Sequence, residues 1–191
     1  MCIILLGIKH CGKSTQARLL SQKLSLPSYD TDDVITELTS KTPREIYTGQ
    51  GQEAFKQAEL QACRHLAQTI AASGTDAVIA TGGGICANPS ALEALHALGK
   101  FVFLHAPEEM AADRIVREIK EDENGEMANL PAYIAKKSPH SLLEVRAIFH
   151  EFYVERVKTY SKLADISVEM GRDSKEENCL KILGSLKLHS A

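Results

Sequence analysis

The sequence predicts an α/β fold, a parallel sheet buried between helices. Three observations carry this. Short unbroken apolar runs at Cys2–Leu6, 77–80 and 101–104 have the length of strands covered on both faces, where no polar alternation is needed. Segments of helical spacing separate them. Glycine-rich loops, Gly7 to Gly12 and Gly82 to Gly84, close two of the strands and lead into helix-like chain.

Taken in order, the first strand, Cys2–Leu6, is bounded by Gly7. A helix follows over Lys13–Leu24, with Leu19, Leu20 and Leu24 on one face, and Pro27 ends that segment. A short strand leads to Tyr29 and Asp30. Val34, Ile35 and Leu38 have the spacing of a short helix, and Pro43 opens a turn or takes a first helical position. Residues 52–72, rich in Ala, Gln and Glu, make a long helix stopped by Ser73-Gly74. A strand at 77–80 ends in the three glycines. Asn88-Pro89 reads as an N-cap followed by a first-turn proline, opening a helix that runs to Leu98 and stops at Gly99. After the strand at 101–104, helices cover about 107–120 and 141–163. A last strand lies at 166–168, and a terminal amphipathic helix spans 174–188. The stretch 121–140 differs: it holds Glu-Asp-Glu-Asn-Gly, two prolines and little periodicity. It reads as an excursion from the domain rather than a linker, because chain of similar character resumes after it.

At 191 residues, and roughly 150 residues per domain, the chain is one domain, 1–191, with an elaborated segment at about 118–140. Lys plus Arg number 22 against 25 Asp plus Glu, a formal net charge of −3, which argues against a protein built to coat nucleic acid or an anionic membrane. Trp is absent, so base-stacking platforms are poorly supplied. The five cysteines are odd in number, scattered, and form no CxxC. Reduced thiols in a cytoplasmic protein fit better than a disulfide framework or a structural zinc. The N-terminus has no cationic region before its short apolar run, and no run approaches the ~18 residues of a membrane span.

Gly7-Ile8-Lys9-His10-Cys11-Gly12-Lys13-Ser14 matches the phosphate-loop pattern GxxxxGK[ST], between a predicted strand and a predicted helix. Such a loop wraps a phosphate with successive backbone N–H groups and a helix N-terminus. Lys13 is placed to reach the β- and γ-phosphates of ATP, and the Ser14 hydroxyl to ligate Mg²⁺. His10, Cys11, Gly12 and Thr15 belong to the same cradle. Oxidation of Cys11 there would block ATP. The second signal is Asp30-Thr31-Asp32-Asp33, beyond the carboxyl end of a strand, where ligands of open α/β sheets bind. These carboxylates suit magnesium-bound water or a proton from a substrate hydroxyl, and equally an N-cap before Val34-Ile35. The third is Gly82-Gly83-Gly84, which allows close approach to backbone amides or makes a simple turn. The histidines outside the loop show no metal-ligand spacing.

Together these residues resemble the shikimate kinase family. The resemblance covers most of the chain: the phosphate loop, Asp30-x-Asp32, Gly51-Gln52-Glu53, Phe55-Lys56, Glu59, Gly82-Gly83-Gly84, Glu155-Arg156, Tyr160 and Ala164-Asp165. It implies a three-layer P-loop kinase fold, a five-stranded parallel sheet in order 2-3-1-4-5, and a lid. It implies transfer of the ATP γ-phosphoryl group to the 3-hydroxyl of shikimate, giving shikimate 3-phosphate and ADP in chorismate biosynthesis. By the same resemblance Asp32 holds the substrate hydroxyl as base or positioning group. Asp30 binds Mg²⁺ through water, Gly82 and Gly83 meet substrate, and Arg156 pairs with its carboxylate. Arg172 falls on the adenine side, with Arg114 or Arg117 on the other adenine face. Glu59 would pair with and orient Lys56. The expected partners are ATP and a small hydroxy acid, with no nucleic acid and no membrane, for a cytoplasmic monomer.

Two features depart from the family pattern. Lys56 stands where the family has an arginine that helps hold the carboxylate, so the bidentate fork is lost. No arginine occurs between Arg117 and Arg146, where the family lid carries one that meets ATP phosphates; the spacing from Arg156 puts Lys137 there, after an extra stretch of about 121–134. These departures keep two alternatives in view: a kinase of another small hydroxy acid such as gluconate, and a non-catalytic nucleotide-binding regulatory protein.

Overall fold

The computed structural model describes residues 1–121 and 127–188. Its element order is β1 (Cys2–Leu6), α1 (Lys13–Leu24), β2 (Ser28–Asp30), α2 (Thr31–Thr39), α3 (Pro43–Gln50), α4 (Gln52–Ser73), β3 (Val78–Ala80), α5 (Pro89–His96), β4 (Gly99–His105) and α6 (Glu108–Glu118). There follow β5 (Lys120–Glu121), β6 (Met127–Ala128), α7 (Ala132–Ala135), α8 (Leu142–Leu163), β7 (Ile166–Glu169) and α9 (Lys175–Leu188).

Five strands form one parallel sheet in the order β2-β3-β1-β4-β7, the 2-3-1-4-5 order expected. Every residue of β1 and β3 is buried, so neither face of the sheet centre meets water. That is why their sequences are unbroken apolar runs. The register sets Ile3 between Val78 and Lys100, and Leu5 between Ala80 and Val102. The carboxyl ends of β1, β2 and β3 therefore lie side by side, and the loops after them share one edge.

Helix starts follow local chemistry. Pro43 opens α3 with a capping box: Thr42 Oγ1 accepts from the Glu45 N–H, and Glu45 Oε2 accepts from the Thr42 N–H at 2.7 Å. Asn88 and Ser141 cap α5 and α8 by accepting the Ala91 and Glu144 N–H groups. Two boundaries differ from the sequence expectation. The helix after Asn88 ends at His96 rather than Leu98, and Gly99 begins a strand rather than stopping a helix. Pairing with β1 is the reason: Gly99 lies opposite Cys2, whose N–H donates to Leu98 O at 3.1 Å. The stretch 121–140, expected to be irregular, contains β6 and the short helix α7, and β6 pairs antiparallel with β5, which starts at Lys120 where a helix was expected. Residues 122–126 of that stretch lie outside the described residues.

All five cysteines are free, and four of them are buried, with Cys86 half-buried. Among the described residues no helix is long and apolar enough to cross a membrane.

Candidate active site

The loop from β1 to α1 wraps a space beside the sheet edge. Gly7 has φ +149°, and a Cβ there would lie 2.7 Å from Cys11 Sγ and 2.9 Å from Leu104 O, so only glycine fits. Gly12 precedes α1 in the left-handed region, at φ +98°. The Lys13 ammonium is buried and folded back over its own loop. It donates to Gly7 O at 2.9 Å and Ile8 O at 2.8 Å, and lies 3.6 Å from Cys11 Sγ. These carbonyls hold the charge where a phosphate would otherwise meet it.

From the neighbouring strand end, Asp30 caps α2 and also reaches the phosphate loop. Its Oδ1 accepts from the Asp32 N–H at 3.0 Å, and its Oδ2 accepts from the Ser14 hydroxyl at 2.6 Å. One carboxylate thus caps α2 and contacts the phosphate loop at once. Asp32 faces the sheet edge, with its carboxyl pushed up to about 6 by burial and by the nearby Asp30 charge, partly offset by Lys13.

These groups share a cavity of about 360 Å³, a size suited to a small ligand. Gly12, Lys13, Ser14 and Thr15 form the phosphate-loop wall. Asp30 and Asp32 face them with Thr81 and Gly83, and Lys9, His10 and Arg114 close the rim. Arg114 donates to His10 O, tying α6 to the loop, whereas Arg117 is not among the lining residues. Burial pushes the His10 imidazole down from its ordinary value, with Glu118 opposing and the Lys9, Lys13 and Arg114 charges adding to the effect. The Glu118 carboxylate lies 3.3 Å from His10 Nε2, and Lys9, Lys13 and Arg114 bring permanent positive charge to the cavity.

The glycine loop after β3 serves the site differently from the sequence reading. Gly82 is buried and its N–H donates to Thr31 Oγ1 at 2.9 Å, so this amide is engaged within the protein. Gly83 is the one that lines the cavity. A Cβ on Gly83 would sit 2.7 Å from Lys9 N, so its close approach is to the phosphate loop itself. The fully buried Tyr160 fixes this turn by donating from its hydroxyl to Gly83 O at 3.1 Å.

Several expected site residues lie outside this cavity. The Cys11 side chain is buried against Gly7, 3.6 Å from the Lys13 ammonium, and is not among the lining residues. Lys56 pairs with Glu53 at 3.5 Å, one helical turn away, and not with Glu59. Lys137 is held by Glu151 at 2.5 Å. Arg172 is exposed and 3.9 Å from Glu109. Arg156 is half-buried beside the glycine loop: a Cβ on Gly84 would be 3.5 Å from its Nη2. No carboxylate pairs with it among the described residues.

Glu59, expected to pair with and orient Lys56, lies instead in a buried corner beside Gly82 and is not among the cavity's lining residues. It is buried to 1% exposure; its Oε2 accepts from Asn88 Nδ2 at 2.9 Å, while its Oε1 has no partner. Burial pushes it up to about 7, the Asn88 hydrogen bond opposing and the Asp32 charge adding. The sequence signal existed: Ala58, Ala62, Cys63, Leu66 and Ile70 form one buried face of α4, and Glu59 sits on it. Lys9 and Thr81 carried no comparable signal.

The donors present suit magnesium. Ser14 and Asp30 are hard oxygen ligands already in contact at the cavity wall, with Asp32 nearby. Among the described residues no cluster of three or more His, Cys, Asp or Glu is arranged as a metal cage. A cation that keeps its water and takes one or two carboxylates plus phosphates is what such a wall accommodates.

A phosphate loop after the central strand of a five-stranded parallel sheet, with carboxylates facing its lysine, defines a P-loop kinase of small molecules. The shikimate kinase family model matches residues 9–187, and the chain belongs to that family. A shikimate kinase of Aquifex aeolicus is 32% identical over 187 residues, covering 98% of this chain and 96% of that protein. One from Enterococcus faecalis is 28% identical over 186 residues, covering 97% and 98%. The crystal structure of the Aquifex aeolicus shikimate kinase superposes with a TM-score of 0.72 at 30% identity, covering 100% of this chain and 98% of that one.

Proposed function

We propose that the chain phosphorylates the 3-hydroxyl of shikimate with ATP, producing shikimate 3-phosphate and ADP. The observation that carries the reading is the shared cavity lined by Lys13, Ser14, Asp30 and Asp32, in a chain of the shikimate kinase family.

The phosphates of ATP take the loop, and the Lys13 ammonium exchanges Gly7 O and Ile8 O for phosphate oxygens. Ser14 and, through water, Asp30 would hold Mg²⁺, which would supply neutralisation of the phosphate charge. Asp32, mostly ionised at pH 7, accepts the proton of the acceptor hydroxyl. As that oxygen bonds to the γ-phosphorus, the bond to the β,γ-bridging oxygen breaks and ADP departs. Asp32 then returns its proton to water. The protein's contribution is positioning and charge placement, as in other phosphoryl transfers.

Arg156 supplies a planar fork for the acceptor's carboxylate, since its donors face no protein carboxylate. Gly83 lends its backbone to the acceptor, Lys56 adds charge to the carboxylate side, and Arg114 and Arg172 flank the adenine. Lys137 reaches the phosphates on release from Glu151. We place the enzyme in the cytoplasm, acting as a monomer.

The test is ADP release from Mg-ATP in a coupled assay, with and without shikimate, and with gluconate in its place. Strong stimulation by shikimate alone is expected. Bound ATP without stimulation by shikimate would overturn the reading.

A further inference from the structure

Arg156 is held in an unusual way. Its guanidinium carbon lies 4.5 Å from the centroid of the Tyr133 ring and 5.3 Å from that of Phe152. The two rings are themselves 4.6 Å apart, inclined at 59°. Phe152 stands one turn before Arg156 on α8, whereas Tyr133 comes from α7, in the segment between α6 and α8. Arginine is most often fixed by a carboxylate, but that would neutralise the charge and occupy the donor fork. An aromatic surface fixes the guanidinium through its π face and leaves the N–H donors free. Lys56 on α4 is engaged with Glu53, so the carboxylate side depends more heavily on this one fork.

We propose that Tyr133 is the positioning residue for Arg156, and that its ring, supported by Phe152, sets the enzyme's affinity for the carboxylate of the acceptor. This rests on the reading of Arg156 as the carboxylate partner. The geometry makes α7 part of acceptor recognition without any contact between Tyr133 and the reacting atoms.

The experiment compares Tyr133→Leu, Tyr133→Phe, Phe152→Leu and Arg156→Met with the parent. KM for shikimate, KM for ATP and kcat are measured, shikimate binding without nucleotide is followed by calorimetry, and thermal unfolding verifies folding. Tyr133→Leu should weaken shikimate binding and raise its KM about 3- to 30-fold, the equivalent of one cation–π contact. KM for ATP should change less than about twofold. Tyr133→Phe, which keeps the ring, should stay near the parent, and Phe152→Leu should weaken shikimate to a lesser degree. In an Arg156→Met background Tyr133→Leu should add little. If Arg156→Met raises the shikimate KM and folded Tyr133→Leu does not, the inference fails and the carboxylate reading stands. If Arg156→Met leaves the shikimate KM unchanged, the carboxylate reading itself fails. A Tyr133→Phe variant as impaired as Tyr133→Leu would also overturn the role of the ring.

Discussion

The carboxyl groups of Asp32 and Glu59 converge on one point beside Gly82. A Cβ placed on that glycine would lie 3.0 Å from Asp32 Oδ1 and 3.3 Å from Glu59 Oε1. Burial raises both carboxyls, Asp32 to about 6 with the Asp30 charge adding, and Glu59 to about 7 with the Asp32 charge adding and the Asn88 hydrogen bond and Lys56 charge opposing. Asn88, donating to Glu59 Oε2, fixes its orientation.

The first prediction concerns stability. Unfolded, Glu59 titrates near the ordinary carboxyl range; folded, it does so near 7. Between those values the folded state binds the extra proton, so stability falls as pH rises and the full penalty is present above 7. Glu59→Gln keeps an acceptor for Asn88 and removes the titration. Thermal melts should show a gain of about 2–4 °C at pH 8, the shift expected per ~1 kcal/mol for this chain length. Little or no gain should appear at pH 5. A loss at pH 8 would mean that the ionised form of Glu59 supports the fold.

Asp32→Asn separates chemistry from nucleotide binding. Its side chain keeps the size of the carboxyl but accepts no proton from the acceptor. Turnover should fall by about 10²- to 10⁴-fold, while ATP affinity stays within about twofold. In the parent, kcat/KM for the acceptor should rise with pH through about 6 as Asp32 ionises. That acid limb should vanish in the residual activity of the variant. Equal losses of turnover and ATP binding would contradict the assignment.

Lys56→Arg addresses the missing fork. Lys56 is half-buried and satisfied by Glu53, an exposed partner that offers little net stabilisation. A guanidinium there could retain that contact and offer a second donor to the carboxylate. KM for shikimate should fall about fivefold, as one added hydrogen bond worth ~1 kcal/mol would give, with KM for ATP unchanged. An unchanged or raised shikimate KM would remove Lys56 from the carboxylate side.

These predictions depend on two kinds of residue, and they were not equally legible in the sequence. The sheet could be read because a strand buried on both faces writes itself as an apolar run, as in Ile3 to Leu6 or Val78 to Ala80. Lys13, Ser14, Asp30 and Asp32 could be read because each lies in a short motif at a strand end, and the cavity does bring them together. Pairings between distant segments could not. Whether Lys56 meets Glu53 or Glu59 depends on which face of α4 turns inward. Gly82 and Gly83 are equivalent in a string of glycines, yet one amide is taken by Thr31 and the other residue packs on Lys9. The Tyr133–Arg156 contact joins elements whose intervening chain has no periodicity to guide it.

The last prediction tests the proposed role of Lys137 toward the nucleotide. Its ammonium is 2.5 Å from Glu151 Oε2 and 5.7 Å from the Phe152 ring, so on the proposed reading α8 would compete with ATP for this cation. The pair is largely exposed, and such pairs contribute about 0.2–1 kcal/mol. Glu151→Gln removes the charge that holds Lys137 and spares the fold. KM for ATP should fall, by no more than about fivefold, and the gain should shrink as added salt screens the pair in the parent. Lys137→Ala should raise the ATP KM, and in that background Glu151→Gln should have no effect. A fall in ATP KM that survives the loss of Lys137 would assign the change to general charge near the site and not to release of this lysine.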